Sequence, residues 1–311
     1  MKGRILITDH LHPLLQQGLE ADGFSVDYLP EITAEKVMEI IPAYTGLVIN
    51  SKVYVGKEML DRATQLTFVC RAGSGLEVID VEYAKTKAVA AFNSPEGNRN
   101  AVGEHSLGML LSMMNNIPKA NTEVKNGEWI REPNRGEELY GKTVGLIAYG
   151  NTAQAFAKLL NGFNVQVLAY DKYVKGFGSG YVQEATIAEI QQQADVLSLH
   201  LPLTPETTYM IDYGFLSAFK KPFWFINTAR GKVLQTADLL QCIEEGKIKG
   251  AALDVLENEK ISALTADEQI VFNKLISTNK VLLTPHIAGW THESKQKIAA
   301  TLLHKIRALY S

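Results

Sequence analysis

The sequence predicts an α/β fold with two doubly wound parallel sheets. Three observations favour it. Short apolar runs alternate with amphipathic segments of helical length, as in βαβ units. The alternation restarts near residue 143, which indicates a second sheet. The length of 311 residues corresponds to about two domains.

The first series of predicted strands is short and builds a smaller sheet of its own. Its apolar runs are Ile5–Ile7, Val26–Tyr28, Gly46–Ile49 and Leu66–Cys70, with helix candidates near 11–22 and 34–42. The second series alone has enough strands for a doubly wound domain. Its strands are predicted at Thr143–Ala148, Val165–Tyr170, Val196–Leu199, Phe223–Asn227, Gly250–Asp254 and Val281–Thr284.

A long helical stretch from Ala101 to Val124 separates the two series. It is richer in Leu and Met than one face of a surface helix requires. Two interpretations are open at this point: a helix buried between domains, or a helix at a subunit interface.

The composition indicates a globular, cytoplasmic protein. Apolar residues make up 46% and charged residues 21%, and the net charge is −3. No basic field attracts nucleic acid or an anionic membrane, and no apolar run reaches the 18 residues that span a bilayer. The first apolar run is too short for a signal peptide. Cys70 and Cys242 have no zinc-type spacing, so we expect two buried thiols and no metal site.

A loop typical of dinucleotide binding follows the strand at Thr143–Ala148. Of the Gly-x-Gly-x-x-Gly pattern only the middle glycine, Gly150, is present. Ala153 is an accepted third residue, whereas Ala148 departs from the pattern because a Cβ constrains the turn.

The next predicted strand ends in Asp171, 21 residues after Gly150. A carboxylate at this strand tip suits the ribose hydroxyls of adenosine and repels a 2′-phosphate, which favours NAD over NADP. Lys172, the next residue, weakens this preference. A single exposed strand-end acid is the plainer alternative.

Three further polar clusters follow predicted strands and contain Arg230, Asp254 with Glu259, and His286. The carboxyl ends of parallel strands line one crevice, so these side chains are expected to converge there. An Arg fork binds a carboxylate, and a His exchanges a proton with a hydroxyl or carbonyl oxygen. A carboxylate on the other imidazole nitrogen fixes the tautomer and favours the protonated ring.

With these motifs the chain resembles the NAD-dependent D-2-hydroxyacid dehydrogenase family, and most closely its phosphoglycerate dehydrogenase branch. The matching segments are Arg71–Gly75, Glu104–His105, Leu139–Gly145, Leu201–Thr208, Asn227–Gly231, Ala252–Val255 and Thr284–Gly289. Because the sequence ends at Ser311, we expect a short form without the regulatory C-terminal domain of the longer phosphoglycerate enzymes.

The resemblance implies an enzyme that transfers a hydride between NAD(H) and a small D-2-hydroxy or 2-keto acid. Its catalytic residues would be Arg230, Glu259 and His286, with Glu259 preferred to Glu257 for its spacing from Asp254. The implied cofactor-binding residues are Gly150, Asn151, Thr152, Asp171, His200, Pro202, Thr228 and Asp254. Asp254 would hold the nicotinamide carboxamide, and Asn151 stands where the family often has a basic residue.

The family's architecture implies a Rossmann cofactor domain (98–285) inserted into a flavodoxin-like substrate domain (1–97 and 286–311), with the active site in the cleft between them. Similar proteins dimerise through the helix predicted at 101–124, which favours the interface interpretation and a homodimer. A non-enzymatic, NAD-sensing or corepressor-like protein of the same fold is the alternative.

The substrate is left open between D-3-phosphoglycerate and another small acid. The implied substrate-binding residues are Ser51, Lys52, Arg71, Gly73, Ser74, Gly75 and Arg131. Arg71 and Arg131 suit a phosphate, and Arg131 would serve the neighbouring subunit. Asn50, however, replaces the Arg that phosphoglycerate enzymes usually carry, and Lys52 is a point charge rather than a fork.

Overall fold

The protein is described here by a computed structural model that covers residues 2–311. It divides into two compact units. The first comprises the chain up to Arg99 together with Trp290–Ser311, and the second comprises Asn100–Gly289. The resemblance placed these limits at 97/98 and 285/286.

The first unit is built on a five-stranded parallel sheet with strand order β2-β1-β3-β4-β5. Its strands are β1 (Arg4–Ile7), β2 (Ser25–Tyr28), β3 (Gly46–Ile49), β4 (Phe68–Arg71) and β5 (Ala90–Phe92). Its helices are α1 (Pro13–Ala21), α2 (Ala34–Ile40), α3 (Lys57–Arg62), α4 (Val81–Thr86) and α12 (His292–Leu309). Along β1, Leu6 packs into one apolar cluster while Ile5 and Ile7 pack into another, so both faces of the sheet are buried.

The second unit is built on a seven-stranded parallel sheet with strand order β12-β11-β10-β9-β6-β7-β8. Its strands are β6 (Thr143–Ile147), β7 (Gln166–Tyr170), β8 (Val182–Glu184), β9 (Val196–Leu199), β10 (Phe223–Asn227), β11 (Ile248–Leu253) and β12 (Val281–Leu283). Its helices are α6 (Ile117–Lys125), α7 (Asn151–Leu160), α8 (Ile187–Gln193), α9 (Tyr213–Ser217), α10 (Thr236–Glu244) and α11 (Ala266–Ser277). Helix α5 (Pro95–Met114) contains the boundary at Arg99/Asn100. The predicted α/β fold with two parallel sheets is confirmed.

Each sheet reverses its strand order at one point, where a crevice opens beyond the carboxyl ends of the strands. In the first sheet β1 lies between β2 and β3, and in the second β6 lies between β7 and β9. The loops after β1 and β3, and after β6 and β9, are therefore the places where each unit can bind a ligand.

The sequence did not predict β5 or β8. Both have three residues and lie at an edge of their sheet, so each pairs with one neighbour only. Neither is fully buried. β8 has one apolar residue, and β5, although apolar, contains no β-branched residue.

The single helix predicted from Ala101 to Val124 is wrong in its bounds. Helix α5 begins at Pro95 and ends at Met114. Asn116, whose φ of 53° is left-handed, separates it from α6. The apolar residues of α5 pack into the core of the second unit itself, where Met109, Leu110, Met113 and Met114 are buried. These contacts account for part of the Leu and Met content, and the interface interpretation stays a prediction.

Within residues 2–311, no helix has the length and apolar character needed to cross a bilayer. Both cysteines are buried free thiols, and burial raises the pKa of each, that of Cys242 to about 11.

Candidate active site

The loop after β6 has the form that a dinucleotide pyrophosphate requires, in spite of its missing first glycine. Ala148 takes a φ of 67°, so an alanine makes the left-handed turn at some cost in strain. Its amide donates to Tyr170 O at 2.8 Å, which ties the loop to β7. A Cβ on Gly150 would meet nothing within 4 Å, so the backbone lies open on that side.

Helix α7 begins directly after Gly150, and no side chain caps it among the described residues. The N-terminus of a helix favours an anion because its first amides and its dipole point outward. The residues present therefore fit a pyrophosphate at this position, with Asn151 and Thr152 in the first turn.

The His200 side chain contacts the first turn of α7 through Thr152. Its Nδ1 lies 3.1 Å from Thr152 Oγ1, and its Nε2 lies 3.0 Å from Ser198 Oγ. Burial lowers the pKa of His200 to about 3, so the ring is neutral at physiological pH. His200 thus holds Thr152 in place and is itself buried, whereas the resemblance implied that it lines the cofactor.

Asp171 stands at the end of β7 with both carboxylate oxygens in use. Oδ2 accepts from the Tyr149 amide at 2.9 Å, and Oδ1 accepts from the Tyr173 and Val174 amides at 2.9 Å each. Partial burial raises the pKa of Asp171, but these three amides outweigh it and the net pKa lies below the usual value. The site therefore carries a fixed negative charge beside the phosphate loop.

His286 and Glu259 meet at the carboxyl edge of the same sheet. His286 Nδ1 lies 3.0 Å from Glu259 Oε2, and both side chains are about half exposed. The hydrogen bond from His286 holds the pKa of Glu259 below its usual range, and the charge of Arg230 acts in the same direction. Glu257 points elsewhere and accepts from the Thr236 amide at 2.8 Å.

Arg230 follows β10, and its charge is close enough to act on Glu259. Its Nη1 donates to Ala229 O at 2.8 Å, and its own carbonyl accepts from Asn227 Nδ2 at 3.0 Å. These bonds fix both the backbone and one arm of the guanidinium. Arginine, glutamate and histidine are thus brought to one edge of one sheet.

Asp254 holds the loop that carries His286. It is 1% exposed and accepts from the Ile287 amide at 2.9 Å, the Ala288 amide at 2.8 Å and the Thr284 hydroxyl at 2.5 Å. His286 itself has a left-handed φ of 56° and donates its amide to Asp254 O at 2.8 Å. Because both oxygens face this loop, the geometry gives Asp254 a positioning role that differs from the contact with the carboxamide implied by the resemblance.

The sequence did not predict the residues that contact Asp254 and its partner Thr284. His105 Nε2 lies 3.1 Å from Thr284 Oγ1 and 3.6 Å from Asp254 Oδ1. Thr228, an implied cofactor residue, is buried, and its hydroxyl lies 2.9 Å from Ser106 Oγ. The one sequence signal for this role of His105 was its place in the matching segment Glu104–His105.

Pro202, an implied cofactor residue, is exposed, and its carbonyl accepts from Thr207 Oγ1 at 2.6 Å.

The implied substrate residues of the first unit gather beyond β3 and β4. Ser51 and Lys52 follow β3 at the reversal of the strand order, and Lys52 Nζ donates to the carbonyl of Pro30. Arg71 Nε donates to Asn50 O at 3.1 Å, and its Nη1 lies 3.0 Å from Glu77 Oε2. Both cations are therefore already engaged within the unit.

The loop Gly73–Gly75 offers fewer donors than the sequence suggested. The Gly73 amide donates to Arg71 O at 2.9 Å, whereas the amides of Ser74 and Gly75 donate to no group in residues 2–311. Ser74 Oγ donates to Asn98 Oδ1 at 2.6 Å. Arg131, in the second unit, lies in an exposed turn.

No group of three or more His, Cys, Asp or Glu side chains in residues 2–311 is arranged to hold a metal ion.

Comparison with known proteins decides the family. Residues 107–288 match the model of the D-isomer specific 2-hydroxyacid dehydrogenase NAD binding domain. The chain belongs to the D-2-hydroxyacid dehydrogenase family. A hydroxypyruvate reductase of Thermotoga maritima is 33% identical over 281 residues, covering 89% of this chain and 90% of that protein.

A D-3-phosphoglycerate dehydrogenase of Methanocaldococcus jannaschii is 34% identical over 305 residues, which is 96% of this chain but 56% of that protein. The chain thus spans about half the length of the phosphoglycerate dehydrogenases it matches. The structure of an NADPH-dependent glyoxylate/hydroxypyruvate reductase from Sinorhizobium meliloti, complexed with NADP and malonate, has the same fold. Its TM-score is 0.82 at 24% identity, over 100% of this chain and 94% of that one. The family's NAD-binding domain therefore corresponds to the second unit of this chain.

Proposed function

We propose that this protein is an NAD-dependent oxidoreductase that interconverts a small D-2-hydroxy acid and its 2-keto acid. The observation that carries the proposal is the contact of 3.0 Å between Glu259 and His286 Nδ1, with the charge of Arg230 beside it. A non-enzymatic sensor would not need an acid–base pair next to a carboxylate-binding cation.

The three side chains divide the work. The Arg230 guanidinium binds the substrate carboxylate and orients the carbonyl. Glu259 holds Nδ1 of His286, so Nε2 faces the substrate oxygen and exchanges its proton with it. In the reducing direction imidazolium gives that proton up, and in the oxidising direction the neutral ring takes it back. NAD(H), when bound, supplies or accepts the hydride.

The dinucleotide would be held by the second unit. Gly150, Asn151 and Thr152 take the pyrophosphate at the N-terminus of α7, and Asp171 takes the ribose hydroxyls. Pro202, which is exposed, lines the site. His200, Thr228 and Asp254 act as positioning residues, since each is buried and is bonded to a neighbouring residue. We expect NAD to be preferred to NADP, because Asp171 is a fixed carboxylate.

We propose that the loop Gly73–Gly75 of the first unit also takes part in substrate binding, through the amides of Ser74 and Gly75. An unphosphorylated acid is favoured by the charges near this loop: Arg71 is paired with Glu77, Lys52 is bonded to Pro30, and Asn50 is neutral. D-3-phosphoglycerate is the second candidate, because relatives of that name match nearly the whole chain. Arg131 would then serve its phosphate.

A panel of 2-keto acids tests the function and separates the two candidates. NADH oxidation is followed with pyruvate, glyoxylate, hydroxypyruvate and 3-phosphohydroxypyruvate. We expect hydroxypyruvate or another unphosphorylated acid to give the highest kcat/KM. A higher kcat/KM with 3-phosphohydroxypyruvate favours the second candidate, and no oxidation with any acid argues against the function itself.

We also propose a homodimer that forms through α6 and the turn after it. Ile117, Val124, Trp129 and Ile130 are exposed there, and the Trp129 side chain is 81% exposed. Such an apolar surface is typical of an interaction site. Light scattering is expected to give about twice the monomer mass of 34.3 kDa. The Trp129→Ser variant is expected to give a mass closer to that of the monomer.

We also propose that the protein is cytoplasmic, because its two buried free thiols suit a reducing compartment.

A further inference from the structure

Lys172, the residue that follows Asp171, is bound by a glutamate from a distant loop. Its ammonium group contacts Glu206 Oε1, although Glu206 lies 34 residues further along, after β9. The second oxygen of the same carboxylate accepts from Tyr173 OH at 2.7 Å. Glu206 thus holds two consecutive side chains of the segment after β7.

The backbone of this segment is fixed as well. Asp171 accepts from the amides of Tyr173 and Val174, so the turn that presents Lys172 is tied to the strand end. Lys175 Nζ donates to Asp171 O at 2.6 Å and lies over the Tyr170 ring at 5.4 Å. Both lysines that follow Asp171 therefore donate to oxygen atoms of the protein, Lys172 to Glu206 and Lys175 to the carbonyl of Asp171.

The charges at the strand end sum to zero. Asp171 and Glu206 are carboxylates, and Lys172 and Lys175 are cations. The hydrogen bond from Lys172 holds the pKa of Glu206 below its usual value, and the bond to Glu206 raises the pKa of Lys172. Lys172 and Glu206 are consequently both charged at neutral pH. The extra 2′-phosphate of NADP would need a cation here, and Lys172 is the cation closest in sequence to Asp171.

We propose that Glu206 is a specificity-determining residue, which excludes NADP by neutralising Lys172 and holding it in place. The inference rests on the proposed binding of NAD by the second unit. It explains why a lysine beside the ribose-binding acid does not by itself make the site favourable for a 2′-phosphate. Removing the Glu206 carboxylate leaves one net positive charge at the strand end and frees Lys172 to meet the phosphate.

The expected effect is moderate, because Lys172 and Glu206 are 54% and 45% exposed and exposed ion pairs are weak. We expect Glu206→Gln to raise the affinity for NADP⁺ relative to NAD⁺ by about fivefold. Binding is measured by isothermal titration calorimetry of the full chain with NAD⁺ and with NADP⁺, without substrate, so that turnover plays no part.

The chain offers a matched control. Glu245 also binds a lysine and a tyrosine, Lys247 Nζ at 2.8 Å and Tyr213 OH at 3.1 Å, far from Asp171 in sequence. Glu245→Gln removes the same charge and is expected to leave the ratio of the two affinities unchanged. The double variant Glu206→Gln with Lys172→Ala is expected to lose the gain for NADP⁺.

The inference is overturned if Glu206→Gln still binds NAD⁺ but its affinity for NADP⁺ relative to NAD⁺ is unchanged. It is also overturned by a gain that survives the loss of Lys172 or that appears equally in Glu245→Gln. If the wild-type protein binds neither dinucleotide, the proposed function fails, and this inference falls with it.

Discussion

Glu259 accepts a hydrogen bond from His286 Nδ1 at 3.0 Å, although the two residues are 27 positions apart in the chain. They meet because each follows a strand of one parallel sheet, and β11 and β12 are neighbours in it. The contact decides which imidazole nitrogen faces a substrate.

Replacing Glu259 by Gln is expected to lower kcat for keto-acid reduction by about tenfold. The neutral amide can turn either its oxygen or its NH2 group towards His286 Nδ1, so the ring is no longer held in one orientation and tautomer. Both side chains are about half exposed, so we expect a smaller effect than that of removing the imidazole itself. Steady-state kinetics measure it. Glu257→Gln is the control, since Glu257 bonds to the Thr236 amide. A loss of kcat in the control alone would show that the wrong glutamate has been assigned.

Replacing Arg230 by Lys is expected to raise KM for the keto acid and lower kcat together. A lysine keeps the charge but cannot form the two parallel bonds of a guanidinium with a carboxylate. Steady-state kinetics give both constants, and the Kd for NADH should change little. Arg62→Lys, at an exposed arginine of α3, is the control. A variant with normal KM would remove Arg230 from carboxylate binding.

The titration of His200 is expected to make the folded state less stable in mild acid. Its pKa is about 3 in the folded protein against about 6.5 when unfolded, so the unfolded chain binds the extra proton. Stability is fully present above about pH 6.5 and is lost as the pH falls below it. For this group alone, about 2 kcal/mol is lost between pH 7 and pH 5. Urea unfolding at the two pH values measures the loss. His200→Gln should be less stable at pH 7 but lose less on acidification. An equal loss in both proteins would contradict the assignment.

The sequence predicted the central strands, together with the edge strands β2 and β12, because each contains a short run rich in apolar residues. It also predicted that the polar clusters follow strands. It did not predict β8, which has one apolar residue, or β5, which is apolar but contains no β-branched residue. The break at Asn116 was missed because a left-handed asparagine leaves no apolar pattern. Whether this Leu- and Met-rich helix packs in a core or at an interface could not be decided from the sequence, because both surroundings favour the same residues.

Within the site, the pairing of Glu259 with His286 follows from strand order, whereas the roles of His200 and Asp254 do not. Their side chains turn inward to Thr152 and to the His286 loop. Such a choice depends on the local backbone rather than on spacing. It becomes visible only when burial and hydrogen-bond partners are known.

Replacing Ala148 by Gly is expected to stabilise the protein by about 0.5–1 kcal/mol. The left-handed φ of 67° strains an alanine, and glycine takes it freely at some cost in the entropy of the unfolded chain. Thermal or urea unfolding measures the gain. Ala157→Gly, at a buried position inside α7, is the control and should destabilise. A loss of stability in Ala148→Gly would mean that the turn is not strained.

The most direct test of the proposed activity follows a deuterium atom from the cofactor to the product. NADH with deuterium at both C4 positions of the nicotinamide is mixed with the keto acid of the panel that reacts fastest and gives a chiral product. The product is analysed by chiral chromatography with mass spectrometry. The account predicts a D-2-hydroxy acid with deuterium at C2, formed 10²–10⁴-fold more slowly by His286→Ala but at the wild-type rate by His304→Ala. An L-hydroxy acid, a product without the label, or normal turnover in His286→Ala would contradict it.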